Sequence, residues 1–199
     1  MVDLIIAGRW APKCSDFFDI CTESYKNFQK SKAELQRIKM RGVTKKAVDE
    51  FSNVTAELHH HSASTVVFAA LFLEAFIYDY AAANFSDTYT ENYLDKLSLV
   101  SKWVVIPKLV TGENFPTEGQ AFEHLVKLHK ARNSLVHYKS GPLPDNVEEL
   151  ERVLEKMGKE DDANVVNAYQ TVKEVLTELR KLEGDGEWNV WFRHRAAKS

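Results

Sequence analysis

The 199-residue sequence predicts an all-α fold. Three observations carry that expectation. Apolar residues recur three and four positions apart along most of the chain, the period of a helix with one buried face. Gly and Pro gather at a few points that separate long segments, as helix ends and loops require. No long run alternates apolar and polar residues between turn signals, as a half-buried strand would. Only Val104 to Ile106 has a strand-like composition, and three residues do not found a sheet.

The first helix is expected to start near Ser15, an N-cap residue ahead of Phe17, Phe18, Ile20 and Cys21. Its apolar content fades after Phe28, a basic stretch follows, and Gly42 interrupts it. Thr44 caps a second, long helix that runs to about Asn84. Ser86 and Asp87 open a short helix carrying Tyr93, Leu94 and Leu97. The segment SKWVVIPKLVTG forms a further short helix, broken or kinked near Pro107 and ended by Gly112. Thr117 caps the next helix, which Gly141 and Pro142 stop. Asp145 caps a short acidic helix ending at Gly158. Asp161 or Asp162 caps the last one, with Val165, Val166, Tyr169, Val172, Leu176 and Leu179 at helical spacing. Three units are expected: an N-terminal helical extension over 1–43, basic toward its end; a helical bundle over 44–183; and an aromatic and basic tail over 184–199.

Composition excludes some classes. A net charge of −3 does not describe a protein coated with nucleic acid over its whole surface. The charge is unevenly placed, however. Lys26 to Lys46 holds eight bases and one acid, whereas Asp145 to Glu183 holds eleven acids and six bases. That asymmetry suits a polyanion-facing side, with Lys39, Arg41, Lys45 and Lys46 as its RNA-contacting residues, or simply two solvated helices of different charge. Cys14 and Cys21 sit seven residues apart, roughly 10 Å along a helix, too far for a disulfide. They read as free thiols of a reducing cytoplasm, and no metal-ligand spacing is present. The start MVDLIIAGRW lacks the features of a signal peptide. The longest unbroken apolar run, Val66 to Leu73, is far short of the ~20 residues that span a bilayer. A cytoplasmic protein without a membrane segment is expected.

The stretch HLVKLHKARNSLVHYKSG, residues 124–141, poses the functional question. With Leu125 at zero on a helical wheel, Phe122, Leu128, Leu135 and Val136 form an apolar stripe. Arg132 falls inside that stripe, and Asn133 and His137 fall at its edge. A charge in a buried face demands a partner. The segment from Val66 to Ile77 is apolar on every side except at Glu74, so it should be buried all round. Glu74 is the expected partner of Arg132, with Asp79 as the second choice. A structural salt bridge accounts for Arg132 and Glu74 but leaves Asn133 and His137 unexplained. A helix C-terminus alone favours a histidine through its dipole.

The spacing Arg132, Asn133 … His137 at the close of a helix resembles the RNxxxH signature of the HEPN superfamily. The surrounding residues, roughly 45–140, are similar to a bacterial group of HEPN-like proteins. The resemblance implies an up-and-down bundle of four to six helices and a homodimer with two motifs meeting across one cleft. It implies a metal-independent endoribonuclease without cofactor, acting as a toxin or defence effector, with RNA as substrate and an antitoxin or another protein as a further partner. Members that have lost catalysis imply the alternative, a helical module that binds a nucleotide or a protein. Tyr138 follows His137 directly. HEPN toxins paired with nucleotidyltransferases carry a tyrosine one position later, so that modification chemistry does not transfer.

The residue types suit RNA cleavage. Imidazole titrates near neutrality and serves as base or acid. Guanidinium stays charged and grips phosphate oxygens in a fork. His137 is therefore assigned as general base or acid, Arg132 as phosphate clamp and Asn133 as positioning group, with Glu74 and Asp79 in support. His129 falls on the apolar stripe, where it borders the same cleft or serves as a satisfied core histidine; Tyr138 lies beside the motif. His59, His60 and His61, with Glu57, point about 100° apart in turn and do not converge on one metal. The tail residues Trp188, Trp191, Phe192, Arg193, His194 and Arg195 suit docking onto the body or a partner, or stacking with bases.

Overall fold

A computed structural model describes residues 5–6, 9–10, 12–40, 45–142, 144 and 146–184. The expected features at Arg41, Gly42, Thr44 and Asp145, and the whole tail from residue 185, lie outside the described residues, as does the side chain of Lys46.

The chain is an all-α helical bundle. Its helices are α1 (Pro12–Met40), α2 (Lys45–Asn84), α3 (Asp87–Tyr89), α4 (Leu99–Thr111), α5 (Gln120–Val136) and α6 (Val147–Glu183). A π-helical turn, Thr90–Leu94, continues α3. A two-residue antiparallel ladder, Ile5–Ile6 with Arg9–Trp10, precedes α1. Val104–Ile106 lies within α4, so its β-branched residues follow the helix that surrounds them.

Helix α2 is the central element, with Val66, Ala69, Phe72, Leu73, Phe76, Ile77 and Tyr80 all buried. Among the described residues it holds the one segment long and apolar enough to cross a membrane, Ala47–Asn84. Counting only the unbroken run had missed it. Over half of its most apolar window is covered by the bundle, as in a core helix. α1 lies antiparallel on α2. Cys14, Cys21 and Phe28 recur every seven residues, as do Ser24, Ser31 and Ile38, and all six are buried. That is the seam of a two-helix coil, kept narrow by small side chains. The N-terminal helix therefore shares the core of the bundle. Both cysteines are buried thiols outside any disulfide, and burial pushes the Cys21 thiol up to about 12.

Several boundaries differ from the sequence reading. α1 begins at Pro12, whose missing N–H costs nothing in a first turn. α4 runs unbroken through Pro107. Ser98 caps its start by accepting from the Ser101 N–H, Gly112 closes its end at φ 80°, and buried Trp103 and Ile106 hold the turn that Pro107 weakens. The α5 cap is Gly119, with no side-chain bond, instead of Thr117. Asn146 caps α6 through the Glu149 N–H at 2.8 Å, and the helix continues past Gly158 to Glu183. One exposed glycine costs a helix only about 1 kcal/mol, too little to divide one of this length.

Cross-helix contacts fix the directions. His59 of α2 faces Asp161 of α6, and Tyr80 of α2 donates to Glu183, so these helices run parallel. Asn167 Nδ2 donates to the His124 carbonyl at 3.1 Å, and His124 Nδ1 lies 2.6 Å from Glu174. The start of α5 near Gly119 borders Lys173 to Glu178, which makes α5 antiparallel to α6. The end of α1, the start of α2 and the start of α6 thus lie toward one end of the bundle, and α5 runs toward that end but stops roughly 15 Å short of it.

Candidate functional site at the end of α5

The last turns of α5 hold a linear polar chain. Arg132 Nη1 donates to Asn133 Oδ1 at 3.0 Å, and Asn133 Nδ2 lies 3.1 Å from His129 Nε2. All three side chains are half-buried. His129 and Asn133 stand four apart on one face, as the helical period requires. His137 is the C-cap residue; its backbone N–H closes the helix on the Asn133 carbonyl at 2.9 Å, and its ring is exposed. Tyr138 is exposed as well. The motif therefore presents a held guanidinium and an accessible imidazole about a turn and a half apart. A guanidinium fixed by a neutral amide keeps its charge and its remaining donors for an anionic ligand.

The expected buried stripe ends early. Ala121, Leu125, Leu128 and Ala131 are buried, but Leu135 and Val136 are exposed. The stripe of a helix is buried only where a neighbour covers it, and Leu135 and Val136 are not covered by the described residues.

The pairing of Arg132 with Glu74 does not form. From the α2–α6 and α5–α6 contacts, Arg132 stands near the level of His59, and Glu74 lies roughly 20 Å further along α2 at 1.5 Å per residue. Glu74 instead takes Lys102 Nζ at 2.8 Å. Asp79, the second expected partner, faces Arg9 Nε at 3.8 Å. Burial raises the Asp79 carboxyl above its ordinary value despite the nearby guanidinium.

Lys102 is what the sequence reading missed. It is 2% exposed and joins Glu74 to Asp95, at 2.8 and 2.7 Å. Burial pulls its ammonium down, but the hydrogen bonds to Asp95 and Glu74 outweigh that and hold it above the usual lysine value. The π turn sets this contact, because the Asp95 N–H reaches back to the Thr90 carbonyl at 2.8 Å and turns the carboxylate toward α4. The signal was present in the sequence, since Lys102 lies between Leu99 and Ile106 on the buried face of α4.

The expected RNA-contacting bases are partly placed. Lys39 is exposed with Nζ 6.0 Å from the Phe51 ring centre, and Lys45 is exposed. Both lie on the motif's side of the molecule, Lys39 roughly 12 Å and Lys45 roughly 21 Å along α2 from the level of Arg132. The basic and acidic segments meet there too, because Lys32 of α1 pairs with Asp162 of α6 at 2.5 Å. His60 and His61 belong to α2 beside His59, and among the described residues no three His, Cys, Asp or Glu side chains are grouped to hold a metal ion.

The fold and the motif define a class, an all-α bundle with a half-open Arg–Asn–His cluster at one helix end. No family model, no curated protein and no solved structure matches the chain.

Proposed function

We propose that the chain is a HEPN-like, metal-independent endoribonuclease that acts in the cytoplasm as a toxin or defence effector. One observation carries the reading. Arg132 is held by Asn133, while His137, five residues further along the chain, opens to solvent. A purely structural polar network would instead be sealed and mutually satisfied.

The chemistry balances with these groups. An imidazole removes the proton of an RNA 2′-OH, and O2′ attacks the adjacent phosphorus. The P–O5′ bond breaks, and an imidazolium returns a proton to the leaving O5′. The products are a 2′,3′-cyclic phosphate and a 5′-OH. Arg132 stabilises the charge that builds on the phosphoryl oxygens. One His137 does not serve as base and acid in a single step, so a second copy supplies the other imidazole. Exposed Leu135, Val136 and Tyr138 beside the motif suit such a homodimer. Lys39 and Lys45, on the same side of the molecule, suit the flanking phosphates.

The test is cleavage of total RNA by wild type and by His137→Ala and Arg132→Ala, with and without EDTA. Cutting that survives EDTA and is lost in both variants supports the reading. Cutting that requires a divalent metal, or that persists in His137→Ala, removes it.

A further inference from the structure

At the opposite end of the bundle from the α5 motif lies a row of exposed rings. Phe85, Tyr89 and Tyr93 are 38, 43 and 68% exposed. Their centroids stand 5.4 and 5.1 Å apart in sequence. The four-residue spacing puts them on one face across the end of α2, α3 and the π turn. Tyr78, seven residues before Phe85, shares that face of α2. Rings this exposed do not serve the core, since their own backbone is anchored by buried Ala81, Ala82, Thr90 and Leu94.

The charge around the row is negative. The nearest bases are already engaged, Arg9 by Asp87 and Asp79, and Lys102 by Glu74 and Asp95. Lys96 is exposed just beyond the row. Glu91, between Tyr89 and Tyr93 in the chain, is exposed and has no ion pair among the described residues. The fields of Asp87, Glu91 and Asp95 converge on Tyr78, whose phenol is raised first by burial and then by these carboxylates.

We infer that this ring row is a docking surface for an extended peptide segment of a partner protein that bears arginine or lysine. Ring faces attract cations, and Glu91, the flanking carboxylate without an ion pair among the described residues, adds to that attraction, while Asp87 and Asp95 are already matched by Arg9 and Lys102. The row spans about one turn of a polyproline-type helix, ~9 Å, so an extended chain lays successive side chains along it. Bases would stack on the rings equally well, but their phosphates would face Glu91. The surface is separate from the α5 motif, so this inference does not depend on the ribonuclease reading.

The experiment is fluorescence polarisation of the full chain with three labelled probes: an arginine–proline repeat peptide, its glutamate–proline counterpart and a short oligouridylate. The arginine–proline probe is expected to bind and the other two not to bind at this surface. Tyr89→Ala and Tyr93→Ala should each weaken it about fivefold, the scale of one exposed cation–π contact. Glu91→Lys should weaken it at least as much. Glu148→Lys, on the exposed acidic start of α6, should leave it unchanged. Circular dichroism and urea unfolding of each variant verify that the fold is kept. The inference is overturned if the arginine–proline probe does not bind, if Tyr89→Ala and Tyr93→Ala leave its affinity unchanged, if Glu148→Lys weakens it as much as they do, or if oligouridylate displaces it.

Discussion

Lys102 and Arg132 occupy equivalent positions in their helices, each a base within an apolar stripe. The structure buries one and half-exposes the other. α2 covers the stripe of α4, with Trp103 Nε1 donating to the Leu73 carbonyl at 3.2 Å beside Lys102. Among the described residues no comparable cover meets the last turn of α5. The sequence shows a stripe but not what lies over it, which is why the partner of Glu74 was misassigned. Removing a base between two carboxylates that water still reaches should cost less than the ~3–5 kcal/mol of a fully buried pair. Lys102→Ala is expected to destabilise by about 2 kcal/mol in urea unfolding, and Lys102→Met, which keeps the stem, by clearly less. Because the folded ammonium titrates above its usual value, its contribution is complete below about pH 10.4 and is lost as pH rises through the folded value. Wild type should therefore lose more stability above that pH than Lys102→Met. The opposite sign applies at Glu183, which accepts from the buried Tyr80 hydroxyl and whose carboxyl burial raises. There the folded state holds its proton more tightly, so acidification from neutrality toward the ordinary carboxylate range stabilises. Stability curves of Glu183→Gln should lack this gain.

At the scale of elements, long periodic segments were legible and their interruptions were not. The end of α2 at Asn84, the Ser86 cap and the Gly112 stop follow from local side-chain chemistry that the sequence displays, whereas α4 starts two residues before the expected Ser101, under a Ser98 cap. Pro107 and Gly158 look like breaks, yet Pro107 sits among buried residues whose packing outweighs its penalty, and Gly158, in the exposed first half of α6, costs that long helix only about 1 kcal/mol. Gly158 has helical backbone, is exposed, and an added Cβ there would meet nothing within 4 Å. Gly158→Ala is therefore expected to stabilise by about 0.5–1 kcal/mol, read as a melting temperature raised by roughly 2–4 °C. No rise would mean that the first half of α6 is not helical in solution.

Across the whole molecule the two ends differ in character. Toward one end lie the α5 motif, Lys39 and Lys45; the other carries the ring row and its carboxylates. The first half of α6 carries further apolar residues, and Val147, Val153, Leu154 and Met157 are all exposed. With Leu135 and Val136 of α5 they leave exposed apolar surface on this side of the molecule that the described residues do not cover. The proposed homodimer uses that surface. Sedimentation equilibrium should report a dimer for wild type and a monomer for Leu154→Glu, and the monomer should lose RNA cleavage while keeping its helicity. A folded monomer that cuts RNA as fast as wild type would separate the chemistry from assembly. The motif residues were legible as a spacing and as residue types. Their joint geometry was not, because the supports expected on α2 sit about 20 Å from the level of Arg132.

The central claim is that RNA supplies its own nucleophile to a site built on Arg132 and His137. The measurement that tests it most directly is the end chemistry of RNA fragments released by the purified full chain. The account predicts 2′,3′-cyclic phosphate and 5′-OH termini, absent when His137→Ala replaces wild type and absent from a substrate with a 2′-deoxy residue at the cut. Fragments with 5′-phosphate ends, or equal cutting of the 2′-deoxy substrate, would contradict it.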